Sequence, residues 1–336
     1  MHGSIRISGE LSLTYDGGTE VKVAVWGLGE HARRNLIPSL ASCDNIQLAG
    51  VWSRSKEIRD SISISTKSKS YETESDLLSD QSVEAVIISS PTGLHYSHAN
   101  MAIESGKDVW VEKSLTTEFK QSESLIKSAE NRNLQVYELF MFLFHPQFKA
   151  IEEIISSGMI GRVISLNAKF GFPHISPDNF RYDRNLGGGS LLDAGCYTVA
   201  AAHKILGPNP VDIHCKQYTD SGYEVDTSGF AVLSYEDEST AILQWGFGHS
   251  YRNEIEIWGT EGHLLVERAF SKPEGLPTKI KVDYQSGKSE LVEIGPCNHF
   301  HAMFGELSTS SQRAATIGRT WCLDQSRLLY RIYNSD

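Results

Sequence analysis

Residues 21–40 read VKVAVWGLGEHARRNLIPSL, and the reading of the fold starts from this stretch. The apolar run Val23, Ala24, Val25, Trp26 has the character of a short buried strand. Gly27 and Gly29 follow at once, and Ala32 is the third small residue. The spacing is G-x-G-x-x-G/A, a strand, a tight turn and a helix start of the kind that binds dinucleotides. Gly27 permits the turn, Gly29 lets a pyrophosphate approach the backbone, and Ala32 lets helix and strand pack closely. The helix N-terminus then offers unpaired N–H groups and a positive dipole end to the phosphates. A strand–turn–helix without any ligand satisfies the same pattern, so context has to decide.

A second strand, Ile46 to Trp52 (IQLAGVW), ends in Ser53-Arg54-Ser55. An NAD-preferring site carries an acid about here to accept the ribose 2′-hydroxyl. This strand ends without one. A guanidinium and hydroxyls suit a 2′-phosphate by charge and bidentate geometry, which favours NADP(H) over NAD(H). A solvated loop arginine is the alternative for Arg54.

The chain has 336 residues, enough for about two domains. Its hydrophobic content of 40% is that of a globular protein, and a formal net charge of −11 argues against nucleic acid as a partner. No apolar run approaches the ~20 residues of a membrane span. The first residues, MHGSIRISGELSLTYDGG, lack an apolar signal core. The five cysteines are scattered, with no C-x-x-C, so neither a metal site nor a disulfide framework is expected. A reducing cytoplasm fits best. Ile5, Ile7, Leu11 and Leu13 alternate, which fits an added strand or hairpin, or a flexible leader.

From residue 21 to about 143 strand-like and helix-like segments alternate. The strands are Val83 to Ser89, Asp108 to Val111 and Gln135 to Phe140; the helices are His95 to Ser105 and Glu118 to Arg132, after a short one closed by Asp76 to Ser79. This alternation is the signature of a parallel α/β sheet. The pattern then changes. A helix over Pro146 to Ser157 is followed by strand-like runs at 163–172, 211–218, 228–235, 239–247, 254–258, 263–268 and 279–284. One long helix, about Gly189 to Leu206, interrupts them, and the tail from Phe300 to Tyr333 is helical. A mainly antiparallel sheet fits this half.

In open parallel sheets, ligands bind at the carboxyl ends of the strands. Here those ends carry Gly27–Gly29, Ser53-Arg54, Ser90–His95 and Glu112-Lys113. Lys113 can stabilise negative charge on a substrate oxygen, or simply pair with Glu112. In the second half, Gly187-Gly188-Gly189 precedes SLLDAGCY. Asp193 and Tyr197 are i and i+4 on one helix face. Tyr197 can give a proton to a carbonyl as hydride arrives, or be a core tyrosine. Arg181 can meet an anionic substrate, or be a solvated loop charge. His145, His174 and His249 lack ligand-like spacing, and no G-x-S-x-G or H-E-x-x-H is present.

Taken together, these strand ends resemble the Gfo/Idh/MocA oxidoreductase family along nearly the whole chain. The matching pieces are GLGEHA at 27–32, SSPTGLH at 89–95, EK at 112–113 and D-x-G-x-Y at 193–197. The stretches 180–197 and 251–270 look most like the branch of sugar-nucleotide 3-ketoreductases, glucose–fructose oxidoreductase, and dihydrodiol or xylose dehydrogenases. The resemblance implies an α/β N-terminal Rossmann domain over 20–143, with a last helix at about 320–334 packing back on it. It implies an α+β C-terminal domain over 144–319 with an open, mainly antiparallel sheet, and an active site between the two. Lys113 then stands beside the nicotinamide and Tyr197 is the proton donor. The cofactor side is lined by Gly27, Leu28, Gly29, Glu30 and His31, by Ser53 and Arg54, by Ser90, Pro91, Thr92 and His95, and by Glu112. Homodimers or homotetramers through outer sheet faces are implied as well.

Two departures stand out. Ser114 replaces the proline of the family's Glu-Lys-Pro, which puts a cis peptide there in doubt. Tyr197 replaces a histidine and Ala200 a second acid, which disfavours histidine-based polyol chemistry. The expectation is an NADP(H)-dependent reductase of a keto group on a sugar, most readily a nucleotide-linked deoxyhexose, with Asp193 and Arg181 facing the substrate. The rivals are a dehydrogenase of a free sugar or trans-dihydrodiol, and a cofactor-binding sensor without turnover.

Overall fold

The computed structural model describes residues 3–6, 20–309 and 312–335, the side chains of 3–6 and 312–317 excepted. Two compact units emerge among them: residues 20–139 with Phe300–Ser326, and residues 3–6 with Phe140–His299 and 327–335.

In chain order, β1 (Gly3–Arg6) belongs to the second unit, and the first unit holds β2 (Val21–Trp26), β3 (Ile46–Trp52), β4 (Lys69–Ser70), β5 (Ala85–Ile88), β6 (Asp108–Glu112) and β7 (Val136–Leu139). These six form one sheet, parallel throughout, in the order β4-β3-β2-β5-β6-β7. Residues Val23–Trp26 and Val86–Ile88 are wholly buried, as strands covered on both faces must be. Helices α1 (Ile37–Ala41), α2 (Lys56–Thr66), α3 (Glu74–Ser79), α4 (His95–Glu104) and α5 (Phe119–Asn131) lie between the strands in sequence. Local chemistry starts several of them. A wide helical turn, Ala32–Leu36, leads into α1, whose first turn holds Pro38. Ser55 caps α2, and Thr73 with Asp76 forms a reciprocal capping box on α3. The strand order reverses between β2 and β5, so the crevice of this open sheet falls beside the Gly27 turn.

The second unit contains α6 (Pro146–Ser156), β8 (Val163–Phe172), α7 (Cys196–Leu206), β9 (Asp212–Tyr218), β10 (Ser228–Ser234), β11 (Thr240–Phe247), β12 (Arg252–Gly259), β13 (Gly262–Glu267), β14 (Thr278–Tyr284) and β15 (Ser289–Ile294). Its nine-stranded sheet runs β1-β15-β14-β13-β12-β8-β11-β10-β9. It is antiparallel except where β8 meets β11 and β1 meets β15. In β11, Ala241, Leu243 and Trp245 are buried while Ile242 and Gln244 face out, the period-two pattern of a sheet with one face covered. All residues of α7 from Cys196 to His203 are buried. Its alanines, Ala200–Ala202, let it lie close to its neighbours.

The expected fold class is borne out: a Rossmann-type parallel sheet, then a mostly antiparallel one. One strand, β15, was not anticipated, while β1 is the added strand that was one of the alternatives for the first residues. β15 has strict alternation in SELVEI. β1 pairs with it in parallel register, Gly3 opposite Glu290, so Ile5 sits in a strand. Ile7, Leu11 and Leu13 lie outside the described residues. The C-terminal helices are α8 (His299–Ser308) and α9 (Gln312–Tyr333). As far as Ser326, α9 packs in the Rossmann unit: Arg319 bonds the Leu134 carbonyl at 2.7 Å, and Ser122 bonds Ser326 at 2.9 Å. Further on, Arg331 bonds the Pro210 carbonyl of the sheet unit at 2.8 Å. No helix among the described residues is long and apolar enough to cross a membrane.

Candidate active site

In the Rossmann unit, the two glycines of the turn do different things. Gly27 has φ +104°, and a Cβ there would meet the Ser89 backbone at 2.6 Å. Gly29 is the opposite case, with no atom within 4 Å of where its Cβ would be. That opening at the start of a helix fits a pyrophosphate, so the turn suits a dinucleotide. Leu28 is buried, while Glu30 is exposed and pairs with Arg34 at 2.7 Å.

His31 reaches across to the end of β6. Asn35 Nδ2 donates to His31 Nδ1 at 3.0 Å, which leaves the proton on Nε2 to donate to Glu112 Oε1 at 3.2 Å. Burial pushes the Glu112 carboxyl up, but His31 and Lys113 outweigh it and hold the group below its usual range. Lys113 comes next, half-buried. Against the doubt raised by the missing proline, the Lys113–Ser114 bond is cis. Its surroundings are firmly tied: the Ser114 carbonyl contacts His95 Nδ1 at 2.8 Å, and Leu115 N–H donates to Glu138 Oε1 at 2.8 Å.

His95 is 1% exposed and lies between two carbonyls, Ser114 and Ser90, each at 2.8 Å. Burial lowers its pKa against the opposing pull of the two carbonyls, and the ring, set between them, links the β5 exit to the β6 exit. Thr92 is buried, and Pro91 opens the short helical turn that holds it. The Ser90 hydroxyl bonds His98, which stacks on Trp26 with centroids 4.4 Å apart. At the end of β3, Arg54 is exposed, and Arg59 bonds the Ser53 carbonyl at 3.1 Å.

In the sheet unit, Tyr197 is 6% exposed. Phe140, Phe142, Phe170 and Phe270 surround its ring, and its hydroxyl donates to Met141 Sδ at 3.7 Å. Arg181 and Asp193, read separately in the sequence, form an ion pair, Nε to Oδ2 at 2.6 Å. Asp193 sits in a wide turn, Leu191–Gly195, that precedes α7, and this widens the register between Asp193 and Tyr197. His174 bonds Tyr182, and His145 is buried, its Nδ1 accepting from Gln147 N–H.

Residues the sequence reading passed over include His98, Arg59, Glu138 and Asp226. Only Glu138 carried a signal, as an acid within the apolar strand-like run 135–140.

A glycine turn at the switch point of a parallel sheet, with a lysine at the end of β6 two strands away, marks a dinucleotide-binding protein. Residues 21–140 match the oxidoreductase family with NAD-binding Rossmann fold, and residues 148–265 match the GFO/IDH/MocA C-terminal domain. The chain belongs to the Gfo/Idh/MocA oxidoreductase family. It is 32% identical over 273 residues to a dTDP-3,4-didehydro-2,6-dideoxy-alpha-D-glucose 3-reductase of Saccharopolyspora spinosa, covering 81% of this chain and 82% of that one. It is 32% identical over 245 residues to a D-xylose 1-dehydrogenase (NADP(+)) of Haloferax volcanii, covering 71% and 73%. The crystal structure of KijD10, a 3-ketoreductase from Actinomadura kijaniata in complex with NADP and TDP-benzene, superposes with a TM-score of 0.86 at 28% identity, covering 94% of this chain and 96% of that one.

Proposed function

We propose that the protein is an NADP(H)-dependent reductase of a keto group on a nucleotide-linked deoxyhexose. The observation that carries this reading is the likeness to nucleotide-sugar 3-reductases, including one solved with NADP and a TDP compound, in a chain with Lys113 at the end of β6 and Tyr197 in α7. The bare end of β3 adds to it, since Arg54 suits a 2′-phosphate and no acid stands in its place.

Bound, the reduced nicotinamide supplies the hydride. Tyr197 donates its phenolic proton to the developing alkoxide. Lys113 stabilises the negative charge on that oxygen, more strongly in the transition state than in the ground state. Glu112, its carboxyl held below the usual range beside His31, sets a negative charge next to the lysine. Arg181, its Nε held by Asp193 and its Nη1 near Asn179, brings positive charge to a diphosphate. We place the enzyme in the cytoplasm as a homodimer or homotetramer, with Ile242 and Trp258 exposed on its sheet.

A dehydrogenase of a free sugar is the second reading, favoured by the xylose dehydrogenase relative. Calorimetric titration with NADPH and NADH, each with and without dTDP, separates the two. Preference for NADPH with dTDP binding supports the nucleotide-sugar enzyme. Cofactor binding without any dTDP binding moves the assignment to the free-sugar enzyme.

A further inference from the structure

The three glycines before α7 point to an acid far away in sequence. Gly189 has φ +124°, and a Cβ on it would run into Asp226 Oδ1. The next two residues bond the same carboxylate: Ser190 Oγ–H donates to Asp226 Oδ2 at 2.6 Å, and Leu191 N–H donates to that oxygen at 2.7 Å. Ser190 N–H also donates to the Asp226 carbonyl at 2.8 Å.

This is an N-terminal cap supplied from another part of the chain. Orphan N–H groups at a helix start need acceptors, and a carboxylate there also meets the positive end of the dipole. Ser190 itself has helical dihedrals and makes no side-chain cap bond within the helix. The same turn is held from its other side, where Gly189 N–H donates to the Arg181 carbonyl at 2.9 Å. Arg181 returns through its Nε to Asp193, two residues beyond Leu191. Gly195, farther on, lies where a Cβ would press on the Trp245 ring at 2.9 Å. The helix start is thus fixed at both backbone and side chain.

We propose that Asp226 is a positioning residue, which through Ser190 and Leu191 sets the place of the helix that carries Asp193 and Tyr197. Its catalytic consequence rests on the role given to Tyr197 above. A shift of about 1 Å in a reacting group can cost about a hundredfold in rate. The carboxylate touches neither substrate nor cofactor in this role. Its loss therefore acts on turnover, while cofactor binding by the Rossmann unit stays as it was.

The test compares wild type with D226N and D226A by amide hydrogen exchange over residues 190–198, by the NADPH Kd and by turnover of a dTDP-linked 3-ketosugar. D226N keeps the shape and one acceptor oxygen but removes the charge that strengthens both bonds, so the test survives if D226A does not fold. The expected result is exchange of the 190–198 amides at least about tenfold faster in D226N, an unchanged NADPH Kd, and kcat reduced about tenfold or more with KM nearly constant. Unchanged exchange in both variants overturns the proposal, as does faster exchange with undiminished kcat. A wild type that turns over no dTDP-linked ketosugar strikes at the proposed substrate instead. The exchange arm, with turnover then read on D-xylose and NADP(+), still decides the role of Asp226.

Discussion

Gly27 lies against the backbone of Ser89 so closely that a single added methyl group would sit 2.6 Å from the carbonyl carbon. The two glycines of the G-x-G pair are therefore separable by experiment. G27A must find room against backbone, which cannot swing aside, and must hold φ +104° with a Cβ. We expect it to lose about 2–4 kcal/mol of stability. G29A meets open space, so its Tm should stay near wild type while NADPH affinity falls at least about tenfold. Thermal melts and a cofactor titration check both, and a G29A that binds NADPH normally removes the phosphate role given to this turn.

Tyr197 and Lys113 carry the proposed chemistry. Y197F keeps the ring among Phe140, Phe142, Phe170 and Phe270 and removes only the hydroxyl. Its kcat is expected to drop about 10²- to 10⁴-fold with NADPH binding intact. K113A should lose a comparable factor through the missing charge. Steady-state kinetics on a ketosugar decide it: near-wild-type turnover in both variants sinks the mechanism.

Arg181 and Asp193 should be energetically coupled. Their side chains are 28% and 13% exposed, which shields the pair in part from solvent. Removing one partner takes the short ion pair from the other in a partly buried place, so R181M and D193N each destabilise, and the double variant loses less than their sum by about 1 kcal/mol. Denaturant unfolding of the four proteins measures the difference. Strict additivity would show the ion pair to be energetically idle.

Arg54 is the residue on which NADP(H) selectivity is placed. A charge-assisted bond to a phosphate is worth about 1.5–3 kcal/mol. R54A should therefore lower the NADPH-over-NADH preference by roughly ten- to a hundredfold, chiefly by weakening NADPH. Arg59 braces the Ser53 carbonyl, so R59A should loosen the same loop with a smaller effect. Equal loss of both cofactors in R54A would assign the arginine to general binding.

What was legible in the sequence was local. The run Val23–Trp26, the glycine pair and the lysine after β6 can each be read within a few residues, because parallel strands are apolar on both faces and their ends are punctuated. Long-range partners left little trace. Nothing near Ser190 announces that its cap is Asp226, and nothing near Gly3 announces a parallel partner at Glu290. Arg181 and Asp193 were both singled out, yet spacing alone could not show that they bind each other. The doubt over Lys113–Ser114 came from treating the missing proline as decisive, whereas Ser114 and Leu115 are held by His95 and Glu138 from two other elements.

Glu138 gives a pH dependence that can be isolated. It lies at the end of β7, 7% exposed, with Oε1 on the Leu115 N–H and no hydrogen-bond partner for Oε2 among the described residues. Burial pushes its carboxyl up to about 8, against the pull of the Leu115 bond and Lys113 and with a further push from Glu112. An unfolded glutamate titrates near ~4.3. Between about pH 4.3 and 8 the native state thus holds the extra proton, and stability falls as pH rises through that window, by an amount on the order of a few kcal/mol. Lys272 has the opposite sign. Burial lowers it to about 7, so its contribution rises with pH above that value, up to an unfolded pKa near ~10.4. The comparison must therefore be between wild type and E138Q, in which the amide keeps an acceptor for Leu115 and cannot ionise. We expect E138Q to be close to wild type at pH 5 and more stable at pH 8, read from Tm at both values. Parallel loss of stability in the two proteins over that range would mean that Glu138 is already ionised in the native fold at low pH.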